Sequence, residues 1–361
     1  VTDKIRLGII GSGGIAGAHA QAYLKMADVQ VVAVADIVPG RAAEFVQRHG
    51  LTGAQAYDDH RKLLELEMDG VSICTPNVAH YETTMDAVAA GKHVLVEKPL
   101  SYTLEQAVEM VRAAKQANRI LTVGFQPRYD PNMITVKEIV QSGYLGKVYY
   151  LQTGGGRRRG MPGGTFIRKE LAGSGAIADI GCYSLDLVLN ALDYPRPLTV
   201  SAYTSAHFGT NPLYHAEAER FDVEDFGVAM VRLEGGIVLN FKIAWAMHMD
   251  TLGPTLFLGT DAGLRLTPGS SGPWGGIWDG GIGSITLFQD TLGKHSETIV
   301  PVEQHNVDRF YEKVRDFVVA VRDGKPAPIP AEQILRNQAI IDGILQSSQL
   351  GREVEIVIPQ V

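Results

Sequence analysis

Ile5-Arg6-Leu7-Gly8-Ile9-Ile10-Gly11-Ser12-Gly13-Gly14-Ile15-Ala16 is a short apolar run that breaks into glycines and leads into Ala18 to Met26, a stretch rich in helix formers. Strand, glycine turn and helix in that order fit the G-x-G-x-x-G/A fingerprint, with Ala16 in its third small position. Gly11, Gly13, Gly14 and Ile15 then bring backbone close to a pyrophosphate, which rests on the helix N-terminus, where unpaired N–H groups and the dipole favour an anion. A glycine-rich turn of any α/β protein carries the same letters, so context decides. A second strand, Val29 to Ala35, ends in Asp36, twenty residues after Ala16, where an acidic side chain accepts from ribose hydroxyls. Ile37 and Val38 follow, and Arg41 is the nearest cation, so a 2′-phosphate would meet a carboxylate. NAD is favoured over NADP.

The alternation continues. Helices are predicted over Arg41 to His49, Asp59 to Leu66, His80 to Ala90 and Leu104 to Ala117. Strands are predicted over Gly70 to Cys74 and His93 to Val96, and Ile120 to Gly124 reads as the closing strand of a Rossmann sheet. Elements at this spacing make βαβ units, hence a parallel sheet with right-handed crossovers. The strand His93 to Val96 ends abruptly in Glu97-Lys98-Pro99. Ligands bind outside the carboxyl ends of such strands, which points Lys98 into the crevice; the alternative is a strand exit that merely faces water. Thr75-Pro76-Asn77 leaves its strand at the same edge and His80 opens the next helix, so this loop is expected beside the nicotinamide half of a dinucleotide.

Length and charge bound the rest. At 361 residues the chain is long enough for two domains. With 45% hydrophobic and 20% charged residues, its composition is that of a soluble globular protein. A net charge of −7 argues against nucleic acid or an anionic membrane as partner, and Arg157-Arg158-Arg159 is the one dense basic run. No apolar stretch reaches the length of a membrane span, and no charged-then-apolar leader precedes the first strand, so a cytoplasmic protein is expected. Cys74 and Cys182 are far apart and lack zinc-type spacing, so neither a disulfide nor a metal is expected.

The glycine fingerprint, Asp36, Cys74-Thr75-Pro76-Asn77 with His80, Gly91-Lys92-His93-Val94-Leu95-Val96-Glu97-Lys98-Pro99 and Gly124-Phe125 together resemble the Gfo/Idh/MocA family of NAD(P)-dependent sugar and polyol oxidoreductases. The resemblance implies a dinucleotide domain over 1–126, with Glu97 and Lys98 at the cofactor and Lys98 catalytic. It implies a second, α+β domain over 127–361 that binds substrate, built on a large, mostly antiparallel open sheet. Strand candidates Val148 to Thr153, Thr199 to Thr204, Phe226 to Leu233, Ile237 to Ala246 and Thr255 to Leu258 suit that plan, with Glu234-Gly235-Gly236 as a hairpin turn. Arg128 occupies a position where relatives often carry a substrate-contacting arginine. Arg157 and Arg158 are either a solvated loop or guanidinium forks for a hydroxyl-rich or anionic substrate.

The second chemical motif runs from Gly173 to Asp186, with a helix expected from just after Asp179 to about Leu192. Asp179 and Tyr183 are four apart and share a face. Asp179 is either a helix cap with Tyr183 packed behind it, or, as the family's Asp-Ile-Gly pattern implies, both line the active site. Many members have histidine where this chain has Tyr183, a departure similar to the glucose-fructose oxidoreductase and dihydrodiol dehydrogenase branch. The glycine-dense stretch Thr267 to Ser284 carries Trp274 and Trp278, a stacking face for a sugar, an insertion or a subunit contact. His207, His215, His248 and His305 have no partner spacing. Asn306 to Val321 and Ala331 to Gln349 read as amphipathic helices and Val354 to Ile358 as a closing strand.

The implied reaction is hydride transfer between a sugar or polyol carbinol and nicotinamide, with Lys98, Asp179 and Tyr183 catalytic and either Tyr183 or Lys98 as the base. Two alternatives stand beside it: redox-neutral glycoside cleavage or epimerisation through a transient keto-sugar, and a non-catalytic nucleotide-binding regulator. A homodimer or homotetramer is expected by analogy.

Overall fold

The computed structural model describes residues 4–268, 282–301 and 307–361. Trp274, Trp278 and His305 lie outside the described residues. By contacts the chain divides into two compact units: Val1–Gln126 with Val307–Leu335 and Pro359–Val361, and Pro127–Asn306 with Arg336–Ile358.

The first unit holds the expected alternation. Its strands are β1 (Ile5–Ile10), β2 (Val29–Ala35), β3 (Gln55–Tyr57), β4 (Gly70–Ile73), β5 (His93–Val96) and β6 (Leu121–Val123). Its helices are α1 (Gly14–Leu24), α2 (Arg41–His49), the short α3 (His60–Leu64), α4 (His80–Ala89) and α5 (Leu104–Gln116). The strands form one parallel sheet in the order β3-β2-β1-β4-β5-β6. β4 is buried throughout and β1, β2 and β5 nearly so, as strands covered by helices on both faces must be, which explains their continuous aliphatic sequences. The order reverses between β1 and β4, the switch point at which the carboxyl ends of the strands open a crevice.

Every one of α3, α5, α6 (Pro131–Gln141, in the second unit) and α9 (Arg309–Asp323, in the first) starts under a side-chain cap: Asp59, Thr103, Asp130 and Asp308 accept from backbone N–H groups of the first turn. The first helix has no such cap, and its N-cap residue is Gly13.

One segment departs from the boundary expected at residue 126. Val307–Leu335, assigned by the sequence reading to the second domain, groups with the first unit. Val314, Phe317 and Val318 of α9 join the core formed by Leu7, Ile9, Ala20 and Tyr23. A Cβ on Gly70 would come within 3.2 Å of the Phe317 ring, so β4 begins where that ring needs space. Burial of a side chain the size of Phe317 contributes about 1.5–3 kcal/mol, which explains why the helix belongs with the sheet it covers.

The second unit is a nine-stranded sheet in the order β14-β13-β12-β11-β7-β10-β9-β8-β15. In chain order these are β7 (Val148–Gly156), β8 (Pro197–Ser205), β9 (Phe226–Leu233), β10 (Ile237–Ala244), β11 (Thr255–Gly259), β12 (Ala262–Pro268), β13 (Ile282–Thr291), β14 (Lys294–Val300) and β15 (Val354–Glu355). All neighbours are antiparallel except β7 and β10. Burial alternates along β9 and β10, with Val231, Leu233, Leu239 and Phe241 inward, as for a sheet with one covered face. The remaining helices are the four-residue α7 (Lys169–Ala172), α8 (Cys182–Ala191) and α10 (Ala331–Leu350). The last spans the division between the units at Leu335.

Candidate active site

In the first unit the expected cofactor residues collect at the carboxyl ends of β1, β2, β4 and β5. Gly11 has φ +90°, and a Cβ there would lie 2.7 Å from the carbonyl carbon and oxygen of Cys74. Only glycine lets the exit of β1 pass that of β4. Gly13 and Gly14 are glycine for a different reason: a Cβ at either would meet nothing within 4 Å. No packing demand explains them, whereas the approach of a phosphate to the backbone does. Together with the uncapped start of α1 just before Ile15, they form an anion cradle. Thr75 adds a buried Oγ1 without a hydrogen-bond partner, on the loop that continues through Pro76 and Asn77.

Asp36 ends β2 and faces that turn. Its Oδ2 accepts from the Ser12 N–H (2.9 Å) and the Ser12 hydroxyl (2.5 Å), and its Oδ1 accepts from the Val38 N–H (3.0 Å). Burial works against its ionisation, but the Ser12 and Val38 bonds and the nearby Arg41 charge outweigh it and hold the carboxyl below the usual carboxylate range. Arg41 reaches only to 3.9 Å and is half exposed. An anionic Asp36 fixed by three donors suits ribose hydroxyls and would repel a 2′-phosphate. The set fits NAD.

Two residues expected among the cofactor contacts also bond to the protein around the crevice. His80 is buried, with Nδ1 2.8 Å from the Pro99 carbonyl and Nε2 3.1 Å from the Thr75 carbonyl. Burial lowers its pKa, with these carbonyls opposing. The ring therefore ties the Thr75 loop to the Glu97-Lys98-Pro99 turn from behind. Glu97 is buried too: its Oε1 accepts from Lys313 and from His19 Nε2 (2.8 Å), and its Oε2 lies 3.3 Å from the Lys98 N–H. Lys98 is half-buried, two residues past the end of β5.

The second unit places Asp179 and Tyr183 on successive turns, in a local form the sequence did not predict. The helix does not start after Asp179; a π-helical turn, Ile177–Gly181, runs directly into α8. Asp179 sits inside that turn, and the N-cap positions of the turn and of α8 fall to Ala176 and Gly181. Such turns occur often at functional sites, since the extra residue re-aims a side chain. Glu224 anchors the entry: its Oε1 accepts from Ser174 Oγ (2.6 Å), Gly175 N–H (2.7 Å) and Ile177 N–H (3.2 Å). The fully buried Trp245 donates its indole N–H to Asp179 Oδ2 at 3.1 Å.

The arginines divide. Arg128 forks onto Asp186, with Nε to Oδ2 at 2.9 Å and Nη2 to Oδ1 at 2.8 Å, and lies over the Tyr194 ring. This buried pair ties the residues before α6 to α8. Arg157 is buried and donates to the Gly160 carbonyl at 2.9 Å, while Arg158 is exposed. Trp245, Glu224, His19 and Lys313 were missed in the sequence. Lys313 carried a signal: it interrupts the apolar stripe Phe310, Val314, Phe317, Val318 of an amphipathic helix.

A sheet of this order, with a glycine turn, an uncapped first helix and an acid closing β2, defines a dinucleotide-binding protein of the Rossmann class. Residues 5–125 match the family described as "Oxidoreductase family, NAD-binding Rossmann fold", and residues 133–265 match the "GFO/IDH/MocA C-terminal domain". The chain belongs to the Gfo/Idh/MocA family and is an NAD-dependent oxidoreductase. It is 31% identical to D-glucoside 3-dehydrogenase of Escherichia coli (strain K12), over 98% of each chain. It is 34% identical to myo-inositol 2-dehydrogenase of Thermotoga maritima, over 91% of each. Its fold is similar to that of levoglucosan dehydrogenase solved in complex with NADH, with a TM-score of 0.83 at 22% identity, covering 99% of this chain and 100% of that one. Among the described residues no cluster suits a metal ion and no helix is long and apolar enough to cross a membrane.

Proposed function

We propose that the chain oxidises a ring CH–OH of a sugar, glycoside or polyol to the ketone, or runs the reverse reaction. The observation that carries this reading is the similarity, along nearly the whole chain, to dehydrogenases whose names specify a carbohydrate hydroxyl. Bound NAD supplies the hydride acceptor, C4 of its nicotinamide. Lys98 anchors the hydroxyl and stabilises the oxygen as negative charge develops. Tyr183 takes the hydroxyl proton; a phenol of reference pKa about 10 does this near neutrality only with a cation close by. In the variant of this scheme Lys98 itself is the base. Asp179 orients the substrate, and Arg157 and Arg158 are the candidates for its outer hydroxyls.

The test is turnover with NAD over a panel of glucosides, inositols and anhydrosugars, followed by absorbance of reduced nicotinamide. NADH formation with at least one panel member is expected. Product formation without NADH would replace the reading with redox-neutral chemistry, and neither product nor NADH would overturn it.

We infer self-association through the open face of the nine-stranded sheet, where Tyr150, Tyr203, Val228, Met230, Val238 and Asn240 lie together. Light scattering that returns a monomer mass would exclude it.

A further inference from the structure

We propose that Lys313 and His19 are positioning residues for Lys98, acting through Glu97. This rests on the role given to Lys98 above.

The four residues meet inside the first unit. Glu97, His19 and Lys313 are all buried, and Lys313 comes from α9, 216 positions along the chain from its partner. His19 Nε2 lies 2.8 Å from Glu97 Oε1 and its Nδ1 2.9 Å from Ser72 Oγ, which in turn lies 2.6 Å from the Tyr23 hydroxyl. Burial, and then the Lys313 charge, lowers the pKa of His19, so the ring is neutral. Of the acceptors around it only the carboxylate cannot donate. Nε2 therefore carries the proton, Nδ1 accepts from Ser72, and Ser72 accepts from Tyr23, which fixes the tautomer and the direction of every bond in the chain.

Burial would raise the Glu97 pKa, yet Lys313 and His19 outweigh it and hold the carboxyl far below the usual range. The carboxylate so pinned by Oε1 turns Oε2 back toward the N–H of Lys98, at 3.3 Å. The exit of β6 makes room for it: a Cβ on Gly124 would come within 2.7 Å of Oε1.

Stability alone does not account for this arrangement. An apolar pair of similar volume is typically as stable as a buried ion pair or more so, because desolvation cancels the attraction. What the apolar pair cannot do is hold the peptide that sets the direction of the Lys98 side chain. A displacement of about 1 Å at a reacting group can cost about a hundredfold in rate.

Lys313→Met alone strands a buried carboxylate and can fail to fold, so the deciding variant is Glu97→Leu/Lys313→Met, which removes both charges. Circular dichroism and NADH affinity should match the wild type, while kcat on the best panel sugar falls at least about tenfold, with KM for the sugar moving less and the pH profile of kcat displaced. Lys313→Arg, which keeps the charge, should stay within about threefold of wild-type kcat. Wild-type kcat and pH profile in the folded double variant would overturn the proposal, as would a Lys313→Arg protein as slow as the double variant. Lys98→Ala separates this from the reading beneath it. If Lys98→Ala still turns over, the role of Lys98 itself falls; if it is dead while the double variant is fast, only the positioning inference falls.

Discussion

The indole N–H of Trp245 donates to Asp179 Oδ2 across 3.1 Å, joining the end of the β10 segment to the π-turn that precedes α8. This bond helps to set the orientation of the Asp179 carboxylate within the turn. Trp245 is fully buried, and the Phe221 ring meets it edge-on at 6.2 Å.

Trp245→Phe keeps most of that packing and deletes the donor. A hydrogen bond to a charged group contributes about 1.5–3 kcal/mol, so kcat/KM for the sugar should fall roughly tenfold or more with little change in NAD affinity. Steady-state kinetics beside circular dichroism checks this; an unchanged kcat/KM in a folded protein would remove Asp179 from the active groups.

Gly11 and Gly13 should separate fold from binding. Gly11→Ala puts a methyl group 2.7 Å from the Cys74 backbone at φ +90° and should destabilise the first unit by about 1–3 kcal/mol. Gly13→Ala meets no protein atom within 4 Å and should leave the thermal midpoint unchanged while weakening NAD binding. Calorimetric unfolding and NADH titration of both variants measure the contrast.

Asp36→Ala should weaken NAD and relax the discrimination against NADP, by about tenfold in the ratio of their kcat/KM values if one charge-assisted bond is lost. Since the wild-type carboxyl is held below its usual range, NAD affinity should persist as pH is lowered through about 4. Titrations at several pH values test both statements.

Glu97 makes acid stability diagnostic. Its folded pKa is depressed, so its contribution is fully present above the unfolded value near about 4.3 and is lost as pH falls below it toward the folded value. The wild-type urea midpoint should therefore drop more steeply below about pH 4 than that of Glu97→Leu/Lys313→Met. Parallel slopes would show that Glu97 is not ionised in the folded protein.

The parts legible in the sequence were those written in short-range pattern. β1 with its glycine turn, Asp36 closing β2 and the strand before Glu97 each announce themselves within about ten residues, because a buried parallel strand is aliphatic throughout. Gln55–Tyr57 escaped notice as a strand because it is three residues long and largely exposed, with no face to mark it. The partners of the site escaped for another reason. Lys313 meets Glu97 216 positions away and Trp245 meets Asp179 66 positions away, and spacing along a chain holds no record of such meetings. His80 and Glu97 border the crevice in the sequence, but their bonds to the Pro99 carbonyl and to Lys313 lie beyond what spacing records. Whether β14 exists was equally hidden, since Lys294–Val300 is polar and mostly exposed, as an edge strand is.

The most direct test of the account is Lys98→Ala, assayed for turnover of the best panel sugar and, in parallel, for NADH binding by fluorescence. Turnover should fall by at least about a hundredfold, with the NADH dissociation constant within about threefold of wild type. Turnover near the wild-type rate, or a variant that no longer binds NADH, would contradict it.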